Sequence, residues 1–243
     1  MNSAKFAAAI LHTTKYGESR LIIDMFTQQA GRMACVAQMP KSPRGKLKKQ
    51  YFQPMTLLEI EADVRQNQQL HPLKDARLLV PYASIPFEPD KMALTMFTAE
   101  FLYRALRDEQ QGEPLFSYIA DSMQWLDTAT GGYANFHLTF LMHMSRFLGF
   151  FPNLSGYADG DVFDMRTATF SHSVPTHSDF LDRNDARRLL QLMRMDFPTM
   201  GLFRLSHDDR NSITDVLLRY YALHIPQFGT MKSTAVLQEV FRQ

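Results

Sequence analysis

Thr56-Leu57-Leu58-Glu59-Ile60-Glu61-Ala62 puts Leu58 and Ile60 on one side of an extended chain and Glu59 and Glu61 on the other. Successive side chains of a strand point to opposite faces, so this period of two predicts a half-buried β-strand with one wet face. Runs of the same kind lie to either side of it. Residues 6–14 are apolar and β-branched and stop at Tyr16-Gly17; residues 21–27 follow and break at Gly31. Residues 33–37 are halted by Pro40, and residues 76–80 end at Pro81. Five short strands within about eighty residues imply a small closed or sandwiched β unit.

Past Pro81 the apolar period lengthens to that of a helix. Pro86-Phe87-Glu88-Pro89-Asp90 reads as a linker, and Asp90 is placed to cap a helix running to about residue 107. Met92, Met96, Ala99, Tyr103 and Leu106 form its stripe. Pro114 falls in the first turn of a second helix, striped by Leu115, Ile119, Met123 and Leu126. Gly131-Gly132 interrupts the pattern. Residues 136–149 are apolar nearly all round, as a buried central helix is. Residues 152–180 are rich in Ser, Thr, Asp and His and read as irregular or weakly stranded. Helices resume at about 184–195, 208–224 and 233–242, and Ser206 with Asp209 has the spacing of a capping box. There is no internal repeat. The expected fold class is multidomain β + α: a β domain over 1–80, then an α-helical domain over 81–243 with an irregular insertion at 152–182.

The 243 residues carry a formal net charge of only +1, unevenly spread. Residues 1–80 hold 12 Lys or Arg against 6 Asp or Glu; the remainder holds 14 against 19. A basic half beside an acidic one suggests that the basic half meets nucleic acid or an anionic surface. Much of the excess lies in Lys41-Ser42-Pro43-Arg44-Gly45-Lys46-Leu47-Lys48-Lys49, where Pro43 and Gly45 disfavour helix and strand alike. Such a loop is either a solvated charged surface or a phosphate site in which each cation replaces a counterion. The charge asymmetry and the strand count favour the second reading, and with it a five-stranded oligonucleotide-binding (OB) barrel. Tyr16, Tyr51 and Phe52 are candidate platforms for stacked bases, or else members of the barrel core.

Other constellations carry less. Cys35 is the sole cysteine, which excludes an intramolecular disulfide and a Cys-rich metal site. The apolar run at 6–11 is too short for a signal peptide or a membrane span, so a soluble cytoplasmic protein is expected. His137 and His143, six apart, do not share a helix face. His172, His177 and Asp179 could chelate, but no second cluster supports them and ordinary surface polarity is the simpler reading. Asp208-Asp209 reads as helix-start charge. There is no glycine-rich phosphate loop, no Gly-x-Ser-x-Gly elbow and no paired metal-ligand motif, so an enzyme has no positive support. Met92, Met96, Met142 and Met144 fit either an adaptable peptide groove or core filling, and their place on helical stripes favours the core.

Thr14-Lys15-Tyr16-Gly17-Glu18-Ser19 before an apolar strand, Phe26-Thr27, Gly31-Arg32, the basic loop, and Gln53-Pro54-Met55-Thr56-Leu57-Leu58-Glu59 together resemble the amino-terminal half of the bacterial RecO recombination-repair family. Leu148-Gly149-Phe150-Phe151-Pro152-Asn153-Leu154 resembles the turn after that family's central helix. Met231-Lys232-Ser233, Val236-Leu237 and Phe241 resemble its carboxyl end, so the ordered series spans nearly the whole chain. The resemblance implies an OB-fold barrel followed by an α-helical domain. It implies a recombination mediator of the RecF pathway, not an enzyme with a turnover site. Such a protein binds single- and double-stranded DNA, anneals complementary strands and helps load RecA on DNA coated by the single-strand-binding protein. The implied partners are that protein's carboxyl-terminal tail, RecR and RecF, at the nucleoid in the cytoplasm and away from membranes. Many members carry a four-cysteine zinc site after the Leu-Gly-Phe-type turn. Residues 155–178 here contain no cysteine, so zinc is not carried over and no cofactor is expected.

The expected DNA-binding residues are Lys15, Arg20, Arg32, Lys41, Arg44, Lys46, Lys48 and Lys49. Arg146 on the central helix is the expected partner of the tail's carboxylate, and no catalytic or metal-ligating residue is expected. Two other classes stand beside this reading. A protein-interaction scaffold without direct DNA binding has the basic half against it, and a metal-dependent hydrolase has the histidine spacing against it.

Overall fold

β1 (Asn2–Tyr16) runs well past its apolar core because a register shift between Ile10 and His12 bends it. Residues 2–9 pair with β4 (Leu57–Val64), and residues 8–16 pair with β2 (Arg20–Thr27). One bent strand thus serves two neighbours, as a bulge allows. β3 (Gly31–Gln38) follows β2, and β5 (Leu70–Val80) closes the ring by running parallel to β3. The result, in a computed structural model that describes residues 2–40, 42, 46–64, 68–107 and 112–240, is a closed five-stranded barrel in the order β1-β2-β3-β5-β4. The chain continues through α1 (Pro89–Ala105), α2 (Glu113–Thr128), α3 (Phe136–Phe147), β6 (Val162–Asp164), β7 (Thr169–Ser171) and β8 (Phe180–Leu181). α4 (Arg183–Arg194), α5 (His207–His224) and α6 (Ser233–Val240) complete the described elements.

Inside the barrel Ile10, Ile23, Met25, Cys35, Leu58, Ile60 and Ala62 are buried, as the period of two requires. Outside, Glu59 pairs with Arg77 at 2.5 Å and Asp63 with Lys74 at 2.6 Å. β5 begins before the run at 76–80. Its first part, 70–72, is recruited by parallel pairing with β3 and has no apolar period of its own to announce it.

Two compact units emerge, and they divide at residue 128, beyond the change from strand to helix near 81. One holds the barrel with α1, α2 and α6; the other holds residues 129–230. Buried charge explains why the first helices join the barrel unit. The Asp127 carboxylate, at the end of α2, accepts backbone N–H bonds from Ala83, Ser84 and Ile85 at 2.8, 2.8 and 2.9 Å. Lys91 of α1, fully buried, donates to Ser84 Oγ at 2.6 Å and to Asp127 O at 3.2 Å, so its charge is satisfied. Glu100, also on α1, accepts from the backbone N–H groups of Lys232 and Ser233 and so caps α6 from another helix. Burial pushes the Glu100 carboxyl up, but those amides and Arg104 outweigh it and hold it at about 2. α1 itself starts two residues earlier than the sequence suggests. Glu88 is its N-cap position and Pro89 its first residue, so Asp90 is not the cap but a first-turn acid facing the helix dipole.

In the second unit α3 is buried through Phe136, Leu138, Phe140, Leu141, Met142 and Met144. Tyr221 Oη donates to Leu141 O at 2.6 Å, and His137 Nε2 lies 3.1 Å from Thr214 Oγ1, which fastens α5 to it. The stretch at 152–182, expected to be irregular, contains a three-stranded sheet ordered β7-β6-β8. Its strands are too short to show a period. What holds them is a cluster of Tyr157, Phe163 and Phe170 rings and the pairing of Asp179 with Arg166 and Arg219. The capping box at Ser206 and Asp209 is present in full. α6 ends at Val240; Phe241 and Arg242 lie outside the described residues.

Candidate nucleic-acid interface

The β1–β2 hairpin turns at Gly17, whose φ of 69° is the left-handed conformation that glycine adopts without strain. The turn sets Lys15 opposite Leu21 and Tyr16 opposite Arg20, with the Arg20 guanidinium 4.9 Å from the centre of the Tyr16 ring. Met39 N–H donates to Ser19 O at 2.7 Å, and Gln38 Nε2 donates to Ser19 Oγ at 2.7 Å. The hairpin tip is thereby stitched to the end of β3, where the basic loop leaves.

The loop returns through an apolar anchor. Leu47 is buried in the barrel core beside Phe52, while Lys46, Lys48 and Lys49 around it stay exposed. Thr13 Oγ1 donates to Phe52 O at 2.9 Å, two residues from Lys15. Lys15, Arg20, Lys46, Lys48 and Lys49 therefore share one end of the barrel. Among the described residues none of the five is in an ion pair, whereas Lys74 and Arg77 on the barrel wall are neutralised by Asp63 and Glu59. Unpaired cations gathered on one surface can take the place of a polyanion's condensed counterions, which are released to the solvent.

Lys41 and Arg44 lie outside the described residues. Arg32 is not brought together with the others: it stands at the opposite end of β3, paired with Asp24 at 3.0 Å. It also donates to Tyr103 O at 3.1 Å, with its guanidinium 4.5 Å from the Tyr103 ring centre, and so ties α1 to the barrel. Phe52 cannot stack on a base, because it fills the core. Tyr16 is half exposed; Tyr51 is partly buried, with Lys48 Nζ 5.9 Å from its ring centre. In the second unit Arg146 is exposed on α3, its guanidinium 4.1 Å from the centre of the Phe151 ring and next in sequence to the exposed Phe147. His172 and His177 each face one carboxylate, Asp161 and Asp164, and among the described residues no three His, Cys, Asp or Glu side chains group to hold a metal ion. Nor is any described helix long and apolar enough to cross a membrane.

Sequence reading missed a groove within the barrel unit. It has a volume of about 670 Å³ and is walled by Tyr51, Pro54, Leu78, Phe87, Met92 and Met96. Met142 and Met144 are core, as their stripe suggests; Met92 and Met96 are nearly half exposed, because the outer face of α1 meets this hollow. The 3-10 turn Lys49–Phe52 and the left-handed Met55, with φ 58°, shape its rim. Met55 N–H donates to Ile10 O at 2.7 Å and Met55 O accepts from Tyr82 Oη at 2.8 Å, which holds the strained residue in place. The signal available in the sequence was Phe87 between two prolines, a large aromatic within what otherwise reads as a linker.

The chain is a small closed barrel with a cationic end, followed by a helical part, and known proteins resemble it in sequence over nearly its whole length. Residues 1–82 match the family described as Recombination protein O N terminal, and residues 86–234 match Recombination protein O C terminal. The DNA repair protein RecO of Bacteroides fragilis is 44% identical over 98% of both chains. That of Phocaeicola vulgatus is 41% identical over 98% of both, and that of Christiangramia forsetii 36% over 96% of this chain and 97% of its own. With barrel, helical part and sequence in agreement from end to end, the chain belongs to the RecO family of DNA repair proteins.

Proposed function

We propose that the protein is a non-enzymatic recombination mediator whose barrel grips single- and double-stranded DNA by the phosphates. The observation that carries this is the set of five exposed cations at one barrel end, Lys15, Arg20, Lys46, Lys48 and Lys49, none of them in an ion pair among the described residues. Charges so placed neutralise two strands at once and lower the repulsion that opposes their annealing. In this reading the protein works with RecR and RecF to load RecA where the single-strand-binding protein coats the DNA. No cofactor is invoked.

The phosphate grip is tested by titrating labelled single strands at several salt concentrations. With five phosphates contacted, the logarithm of affinity falls with the logarithm of salt at a slope of roughly −3.5. A slope near zero contradicts the proposal. Affinity should barely change between sequences, because backbone contacts carry no base information.

Arg146 is proposed to take a carboxylate of the single-strand-binding protein's acidic tail. Its exposure and the neighbouring Phe147 and Phe151 support this, since they offer charge and apolar surface side by side. Arg146→Ala should weaken binding of a tail peptide about tenfold, the loss expected for a charge-assisted contact. Superimposable isotherms for the two proteins would remove Arg146 from the site.

A further inference from the structure

We propose that the groove between the 3-10 turn Lys49–Phe52, the end of β5 and the outer face of α1 receives unstacked bases of the single strand whose phosphates lie on Lys46, Lys48 and Lys49. The inference rests on the DNA-binding reading above and adds where the bases go.

Continuity is the first argument. Lys46, Lys48 and Lys49 lead directly into Gln50 and Tyr51, which already line the groove, so a strand anchored on the lysines delivers its bases there. The second is size and chemistry. At about 670 Å³ the groove is within the roughly 300–1,000 Å³ of sites that enclose small organic molecules. Its walls offer what a base face wants: the Tyr51 ring, the strongly exposed Phe87 ring and the polarizable thioethers of Met92 and Met96. Besides the tyrosines, the polar residues along it are Gln50, Gln53, Thr56 and Thr95, and the rest of the wall is apolar. Such a groove holds bases without choosing among them.

Thr95 is the third and independent argument. It lines the groove at 4% exposure, and its hydroxyl is buried with no hydrogen bond among the described residues. Buried polar groups are nearly always satisfied, and one left without a partner beside a hollow marks what the hollow lacks. The amino or carbonyl edge of a base supplies that partner. A second hollow, sharing Pro54 and Met96 with the first, extends the trough past His12 and Tyr103, so more than one nucleotide is accommodated along α1.

The charge of the rim favours a strand over a purely apolar protein segment, because a polyanion alone uses the lysines and the apolar walls together. The experiment separates the two contributions. Affinity is measured for an oligo(dT) strand and for an abasic strand of equal length and charge, on wild type, Tyr51→Ala, Phe87→Ala and Thr95→Val. Wild type should prefer oligo(dT) about tenfold or more, a stacking effect of the usual size. Tyr51→Ala and Phe87→Ala should lose most of that preference while binding the abasic strand as wild type does, which also shows that they are folded. Thr95→Val should lose about threefold on oligo(dT) alone, the low end of what one neutral hydrogen bond contributes. Cross-links from 4-thiothymidine should map to Tyr51, Phe87 or Met96. Equal affinity for the two strands, or cross-links confined to the outer surface of β2 and β3, overturns the groove assignment while leaving the phosphate grip standing, and then the groove belongs to a protein partner. Failure to bind either strand overturns the DNA-binding reading itself.

Discussion

Lys46, Lys48 and Lys49 replaced together by glutamine should lower affinity for single-stranded DNA about a hundredfold at 0.1 M salt and flatten the salt slope from roughly −3.5 to roughly −1.4. Each phosphate contact on a single strand releases about 0.7 of a counterion, and at that salt each contact is worth about a factor of five. All three side chains are exposed and, among the described residues, outside any ion pair, so the folded state loses little when they are neutralised. Leu47, which anchors the loop in the core, is left in place. Adding Lys41 and Arg44 to the set should deepen the loss, and strand annealing should fall in step. An unchanged slope would mean that DNA lies on some other surface. By contrast, neutralising Lys74 and Arg77, already paired with Asp63 and Glu59, should change the slope little.

Asp127→Ala should destabilise the barrel unit by about 3 kcal/mol. Three backbone N–H groups, of Ala83, Ser84 and Ile85, converge on one carboxylate, and truncation leaves them with nothing but what water reaches. In a chain of this length that corresponds to a fall in Tm of about 6–12 °C. Asp127→Asn keeps one acceptor oxygen and should cost about half as much. Burial pushes the Asp127 carboxyl up, but the amides of Ile85, Ala83 and Ser84 outweigh it and hold it below the usual carboxylate range. The contribution is therefore complete above about pH 4 and is lost as pH falls below that, through the depressed folded-state value. Urea titration of wild type and both variants at neutral pH measures the difference. A Tm within a degree or two of wild type for Asp127→Ala would show that the linker keeps its place without this carboxylate. Because Ile85 and Tyr82 line the groove, the variant should also lose the preference for strands that carry bases.

The two units were legible to different degrees, for one reason. β4 could be read from five residues because Leu58, Ile60 and Ala62 alternate with Glu59 and Glu61, and alternation is a local property of an extended chain. The first part of β5 could not, since 70–72 is a strand only because β3 lies beside it. The same holds for β6, β7 and β8, where two or three residues each leave no room for a period and distant rings and ion pairs decide the outcome.

Charge follows the same rule. That the front of the chain is basic, and that its excess gathers in one loop, is written in the amino acids. Which cations stay unpaired is not. Arg32 and Lys15 look alike in the sequence, yet Arg32 meets Tyr103 across 71 positions and is consumed in holding α1, while Lys15 stays open on the hairpin. Likewise Met92 and Met142 sit on similar stripes, and only the neighbours brought by folding make one the wall of a groove and the other core. By itself the sequence determined the strands of the barrel apart from the start of β5, the central helix and the sign of the surface, because these depend on local periodicity and on composition, while its ordered motifs carried the family resemblance. Only the tertiary structure decided which charges remain free and where an apolar hollow opens beside them, because pairing and burial are set by residues far apart in the chain.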